Sequence, residues 1–442
     1  MTDVAAQHTA DVDARTEEIF RALGEGSPFV VVDSPPGAGK TELVAKACAL
    51  FAASVGFRIV CAVPRHNQAV DLVERLARWR GMPPVALLYS ESHALPPLPS
   101  SVATVSKPGD LTPAHRIVVG TVDKLGHAAG SLSGQFGLLI CDEAYQIPMK
   151  SFFPIADLSD RCLLVGDPGQ LPPLIRTETH DLEAAPNRVH WSVPREVMRR
   201  WPGTARFALP ASRRLVADTV EIVQPALYPD LPFISSASPQ ERRVTFGAGG
   251  IGGAVDAALD RLALGASMIA LRLSGPPPVA GVDHDLLDLS YRVLRRMMDR
   301  QVCVGGTPLT SSDIGCLDTH VQPGGALRLR LRGTDLEPIR VDTPEVWQGG
   351  ERPITVVHHP LSGVVCPSEF DLDPGRLCVM LSRHRAASII VTRGGVSEVL
   401  DAYRHDCGVT ASGAQDRGWS GYFAHRQVWT ELERRDRFID VA

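Results

Sequence analysis

Apolar residues in the first half of the chain fall in short β-rich runs separated by longer stretches of helical spacing. Phe29 to Val32, Arg58 to Val63, Arg116 to Val119, Leu138 to Cys141 and Cys162 to Val165 read as strands, with helices at Glu42 to Ser54 and Gln68 to Trp79. Strands alternating with helices predict βαβ units around a parallel sheet. A helix over Asp13 to Leu23 precedes the first strand, and a breaker cluster from Gly24 to Pro28 ends it. Between Pro83 and Pro113 proline and serine dominate, so this stretch reads as a surface insertion too short to be a domain.

A second, weaker series follows Arg206: a helix near Leu215 to Val223, a strand at Met268 to Leu273, a long helix at Leu286 to Arg300, and strands around Ile314, Ile354 to Val357 and Ser388 to Thr392. The chain has 442 residues, more than one core usually spans. The reading is therefore two α/β domains, residues 1–205 and 206–442, the second ending in a helical tail. That tail holds Trp419, Tyr422, Phe423, His425 and Trp429 near Arg417 and Arg426. Such aromatics could stack on bases, but packing of a C-terminal helix against the second domain is the favoured expectation.

Composition adds exclusions. Hydrophobic residues make up 44% and charged residues 21%, as in a soluble globular protein. No apolar run approaches the ~20 residues that span a bilayer, and the polar, acidic start is no secretory signal. A cytoplasmic location is expected, with no membrane partner. There are nine cysteines but no C-x-x-C, and Cys61, Cys141, Cys162 and Cys378 lie in apolar runs, which makes them buried thiols. A net charge of −5 excludes bulk attraction to nucleic acid but leaves room for a local basic groove.

The most specific chemistry is Ser34-Pro-Pro36-Gly37-Ala38-Gly39-Lys40-Thr41-Glu42, between a strand and a helix. A glycine loop feeding a helix N-terminus aims backbone N–H groups at one point, where phosphate oxygens sit. Lys40 would reach the β and γ phosphates of ATP and Thr41 the Mg²⁺, with Pro36 to Glu42 lining the nucleotide. Ser34 replaces the first glycine of the usual pattern. A glycine turn with an incidental lysine would also fit the loop alone, but an apolar strand ending in Asp142-Glu143-Ala-Tyr-Gln146 follows. It places Asp142 beside the metal and Glu143 where it can polarise an attacking water. Gly166-Asp167-Pro-Gly-Gln170 then presents Gln170 after another strand, able to sense a γ-phosphate.

Together these residues resemble superfamily 1 helicases, specifically the 5′-to-3′ branch typified by the nonsense-mediated-decay helicase, from Ser34 to Arg385. Cys61-Ala-Val-Pro64-Arg-His-Asn67-Gln-Ala-Val-Asp71 looks like that branch's motif Ia, and Val118-Val-Gly-Thr121 like the strand-end motif that follows. Asp142 to Gln146 matches motif II in its D-E-x-x-Q form, and Gly166 to Pro173 matches motif III. Ala211-Ser-Arg213-Arg214-Leu215 looks like motif IV, with Arg214 on the arginine finger and Arg213 replacing an aromatic residue. Thr343-Pro-Glu345-Val-Trp347-Gln348-Gly-Gly-Glu351 resembles motif V, with Glu345 for Asp and Trp347 for Phe. Arg376 to Arg385 resembles motif VI, with Arg383 as the second arginine finger.

The resemblance implies two tandem RecA-like domains and an ATP-dependent motor, a helicase or translocase. Pro64, Asn67, Thr121, Thr343 and Gln348 would face nucleic acid, and Glu351 the nucleotide sugar. Single-stranded DNA is expected in preference to RNA. The family's adenine-reading glutamine has no counterpart between Asp11 and Thr16. Relatives that separate duplexes usually carry an accessory barrel, which a partner protein could supply here; a minimal motor could also translocate without separating strands efficiently. The alternative is a nucleotide-gated binding switch that does not unwind.

Overall fold

The computed structural model describes residues 2–173, 186–247, 252–278, 281–347, 349–403 and 417–442, with side chains from residue 11 onward and, in the last segment, from residue 420. It divides into two compact units. The first comprises residues 1–168 and 172–211, the second residues 169–171 and 212–442. The division thus falls a few residues beyond the 205/206 boundary read from the sequence. The reason is a strand, Ala205–Ala208, that pairs in parallel with Phe29–Asp33 and extends the first sheet.

That sheet contains β1 (Phe29–Asp33), β2 (Ile59–Val63), β3 (Val85–Leu88), β4 (Val102–Val105), β5 (Ile117–Thr121), β6 (Leu138–Asp142), β7 (Cys162–Gly166) and β8 (Ala205–Ala208). Their order is β4-β3-β5-β2-β6-β7-β1-β8, and every recorded pairing is parallel. The stretch from Pro83 to Pro113 is consequently more than a surface insertion. Two of its segments are sheet strands, made from runs of only four residues each between prolines and serines. Central strands are apolar from end to end because both faces are covered. Alternate residues serve opposite cores: Val30 and Val32 join Ile19, Leu43 and Leu72, while Val31 joins Leu125, Phe152 and Ile155. The first helix runs from Thr2 to Gly24, longer than its apolar pattern indicated.

The second unit has a six-stranded parallel sheet. In spatial order its strands are Arg340–Asp342, Ile314–Leu317, Arg352–His358, His384–Arg393, Met268–Leu273 and Phe438–Val441. Helices Ala254–Ala263 and His284–Asp299 pack on it, burying Leu259, Leu262, Leu289, Val293 and Met297. The tail is helical over Arg417–Arg434 and then adds the edge strand Phe438–Val441, which pairs with Met268–Leu273. Tyr422 stacks on Tyr403 at 5.7 Å and Trp429 meets Phe438 at 4.6 Å, as packing material, whereas Phe423 is exposed. Trp419 lies outside the described side chains.

Polar groups also bridge this unit. His358 contacts the Asp318 carboxylate through Nδ1 and lies 2.7 Å from Ser290 Oγ through Nε2. The set has the chemistry of a hydrolytic triad, but Ser290 is fully buried and donates to Leu286 O at 3.0 Å. It braces helix against sheet. No helix among the described residues is long and apolar enough to cross a membrane. The eight described cysteines are free thiols, six of them buried.

Three buried histidines of this unit contribute to its response to mild acid. Burial pushes His384 and His425 down to about 3, and burial with the neighbouring His425 holds His359 well below the usual imidazole range. Between about pH 6.5 and 3 the unfolded chain binds protons that the folded chain refuses, so stability falls as pH drops through this window. Thermal melts from pH 7.5 to 4.5 should show the second unit losing stability, with a shallower loss in His425→Met. A melting temperature that rises toward pH 5 would contradict the assignment.

Candidate active site

β1 delivers the chain into the loop Ser34 to Gly39, and the helix Lys40–Ala52 starts directly after it. Gly37 and Gly39 have φ of 72° and 93°, a left-handed turn that glycine adopts without strain and that lets successive N–H groups converge on an anion. Ser34 is absent from the positive-φ residues and is fully buried, its N–H donating to Gly166 O at 2.8 Å. Serine therefore fits where the sequence pattern asks for glycine. Pro36 and Ala38 are buried, whereas Thr41 and Glu42 are half-buried in the first helical turn. Glu42 pairs with Lys46 at 3.5 Å.

The acids of β6 meet this loop. Asp142 is the last residue of the strand and is 8% exposed. Burial, reinforced by the adjacent Glu143 charge and opposed by Lys40, pushes its carboxyl up to about 7. Glu143 occupies left-handed backbone space (φ 56°, ψ 40°), unusual for a non-glycine residue, and its N–H donates to Asp142 Oδ1 at 2.9 Å. Its side chain is held from two sides. Lys40 Nζ lies 3.3 Å from Oε1, and Gln146 Nε2 donates to Oε2 at 3.1 Å.

Two adjoining carboxylates with one lysine leave the pocket short of positive charge, so the donor set fits a hard divalent cation. Asp142 and the Thr41 hydroxyl are the residues that would hold Mg²⁺. No cluster of three or more His, Cys, Asp or Glu able to hold a metal occurs among the described residues.

A buried anchor lies beneath the loop. Asp33, 1% exposed, accepts from Tyr145 Oη at 2.5 Å and from Arg206 Nε at 2.6 Å. It links the residue before the phosphate loop to the acid-bearing turn and to β8. Gly166 is required by close approach, because a Cβ there would stand 2.9 Å from Tyr145 Cδ2 and 3.0 Å from its backbone N. Neither Asp33 nor Arg206 was apparent from the motifs; an acid inside an otherwise apolar strand end was the available signal.

Of the residues expected to face nucleic acid in this unit, Pro64 is half-buried and Asn67 is exposed at the start of the helix His66–Arg78. Thr121 ends β5 and caps the helix Val122–Leu132, its hydroxyl accepting from Lys124 N–H at 3.2 Å. Gln170 is buried and groups with the second unit.

Within the second unit, Arg214 and Glu351 meet each other: Arg214 Nε donates to Glu351 Oε2 at 2.6 Å and Nη1 to Ser382 O at 3.3 Å. Arg385 Nε lies 3.7 Å from Glu351 Oε1. Burial would raise the Glu351 carboxyl, but Arg214, Arg385 and Arg242 together hold it below the usual range. Arg383 is 1% exposed and donates to Gly350 O at 3.4 Å. Thr343 is half-buried, and its carbonyl accepts from Val346 and Trp347 in the following turn. Gln348 lies outside the described residues. Glu345 pairs with Arg376, and Trp347, fully buried, donates to Cys316 O at 3.2 Å. The substituted positions of this segment are thus structural anchors.

In the first sheet one strand, β7, separates the phosphate-loop strand β1 from the acid-bearing strand β6. The fold is α/β, with RecA-like P-loop character and two parallel-sheet units. Residues 110–178 match the profile of an AAA domain, a span that includes Asp142, Glu143 and Gln170. No curated protein matches the chain. Similar solved structures include Arterivirus nonstructural protein 10 (helicase), 14% identical, covering 87% of this chain and 64% of that one with a TM-score of 0.45. The same helicase in complex with DNA is 14% identical over 86% of this chain and 64% of that one, TM-score 0.44. The PRRSV helicase is 13% identical over 85% and 55%, TM-score 0.43. The chain spans less than two thirds of the length of each of these three.

Tyr145→Phe removes one of the two side-chain donors recorded for the buried Asp33 carboxylate. An unsatisfied buried acceptor costs roughly 1–3 kcal/mol. Urea unfolding should register a loss of that order in the first unit, and an unchanged midpoint would show that the contact contributes nothing.

Proposed function

We propose that this protein is a nucleic-acid-stimulated ATPase motor of the superfamily 1 helicase type. The observation that carries the reading is the meeting of Lys40 with Glu143, 3.3 Å apart, beside the buried Asp142 at the head of a phosphate loop. An incoming γ-phosphate would compete for Lys40 and draw it away from Glu143. The carboxylate is then left beside the phosphate with its electron pairs available to orient water. When bound, Mg²⁺ neutralises developing phosphate charge. Asp142 and Thr41 hold it, Pro36 to Glu42 cradle the nucleotide, and Gln170 reads the γ-phosphate. Arg214 and Arg383 from the second unit supply transition-state charge, and Glu351 faces the sugar. The AAA-domain match over residues 110–178 supports nucleotide hydrolysis at these acids.

In this reading, single-stranded DNA engages Pro64, Asn67 and Thr121 in the first unit and Thr343 and Gln348 in the second, and translocation runs 5′ to 3′. Its net charge of −5 makes such binding a matter of a local track rather than of bulk attraction.

Lys40→Ala should abolish ATP hydrolysis, while Glu143→Gln should keep ATP binding and lose turnover by at least about a hundredfold. Equal loss of nucleotide affinity in both variants would refute the separate roles. ATP and nucleic-acid binding must also couple reciprocally. A labelled single-stranded oligonucleotide should bind with different affinity without nucleotide, with a non-hydrolysable ATP analogue and with ADP. Identical affinities, together with ATP turnover indifferent to the oligonucleotide, would leave an ATPase whose partner is something else.

A further inference from the structure

A chain of side-chain hydrogen bonds crosses the first unit from the proposed nucleic-acid segment to the proposed catalytic acid. At the start of the helix His66–Arg78, the Arg65 N–H donates to Gln68 Oε1 at 3.0 Å. Gln68 Nε2 donates to Gln146 Oε1 at 3.4 Å, and Gln146 Nε2 donates to Glu143 Oε2 at 3.1 Å. Lys40 Nζ closes the series on the other carboxylate oxygen at 3.3 Å. Each amide accepts at one end and donates at the other, so the direction of every link is fixed by its neighbours.

We propose that Gln68 is a positioning residue that makes the placement of Glu143 answer to the backbone at Pro64 to Asn67. The inference rests on the function proposed above. The geometry gives it content in three ways. Glu143 turns out of β6 in left-handed backbone space, and its carboxylate is held between Lys40 on one oxygen and Gln146 on the other. Once phosphate draws Lys40 away, Gln146 is the side-chain support that the structure records for it. Gln146 in turn is 9% exposed, and the side-chain donor recorded to its Oε1 is Gln68. The Gln68–Gln146 link is the longest of the series, so a shift of a few tenths of an ångström at the helix start would tighten or break it. A strand of nucleic acid pressing on the exposed Asn67 acts on that helix start.

The roles of Gln68 separate under substitution. Gln68→Glu keeps the acceptor for the Arg65 N–H, an ordinary capping arrangement at the third helical position, but has no donor for Gln146. The introduced carboxylate would attract the Gln146 amide away from Glu143. ATP turnover is measured at saturating ATP with and without a saturating poly-thymidine oligonucleotide, alongside thermal melting. The expected result is an unchanged melting temperature, an unchanged KM for ATP, and a stimulation ratio lowered about tenfold, the effect of one well-placed hydrogen bond. In a Gln146→Leu background the same substitution should change nothing further, because the link is already cut. Gln68→Met, which loses cap and link together, should lower stimulation equally and the melting temperature as well. Full stimulation in Gln68→Glu would overturn the relay while leaving the ATPase reading intact. A drop in melting temperature with parallel loss of ATP affinity would make Gln68 merely structural and also overturn it. Wild-type protein that hydrolyses no ATP, or hydrolyses it without stimulation, would overturn the functional reading and the relay with it.

Discussion

Two consecutive carboxylates at the mouth of a buried strand cannot both stay charged unless positive charge is brought to them. Around Asp142 and Glu143 that requirement organises the first unit. Lys40 arrives from the loop after β1, and the Glu143 N–H turns back onto its neighbour. Burial, reinforced by the Glu143 charge, still pushes the Asp142 carboxyl up, and a divalent ion beside it would favour its ionised form.

The second unit handles charge in the opposite sense. Arg214, Arg242 and Arg385 gather around the single carboxylate of Glu351, which is held ionised against its own burial. An excess of cations is thereby kept in place by one acid.

How much of this was legible depended on whether the signal was local. The phosphate loop, the acid-bearing strand and the central strands could be read directly, because each is a contiguous apolar run ending in a distinctive residue. β3 and β4 were hidden by their brevity and by the prolines around them, and β8 by being a half-buried edge strand containing Arg206. The strand Phe438–Val441 escaped because its place beside Met268–Leu273 is set by tertiary pairing, not by its own pattern. In the candidate site, Lys40, Asp142 and Glu143 were found by motif and are brought together. The supporting side chains Asp33, Gln68 and Arg206 were not, since their roles arise from neighbours far along the chain. Arg214 and Glu351 were assigned separately to the nucleotide, but only the folded unit reveals that they bind each other.

The seating of Met268–Leu273 carries a consequence for how the protein is made. Both of its sheet neighbours, His384–Arg393 and Phe438–Val441, are synthesised long after it. While translation proceeds, this apolar strand has finished backbone on neither side. Parallel pairings of such sequence separation form slowly, and open edges invite pairing with other chains. In each unit, then, an apolar central strand waits for shielding until its neighbours are made, since Phe29–Asp33 likewise pairs with Cys162–Gly166 and Ala205–Ala208, which follow far along the chain.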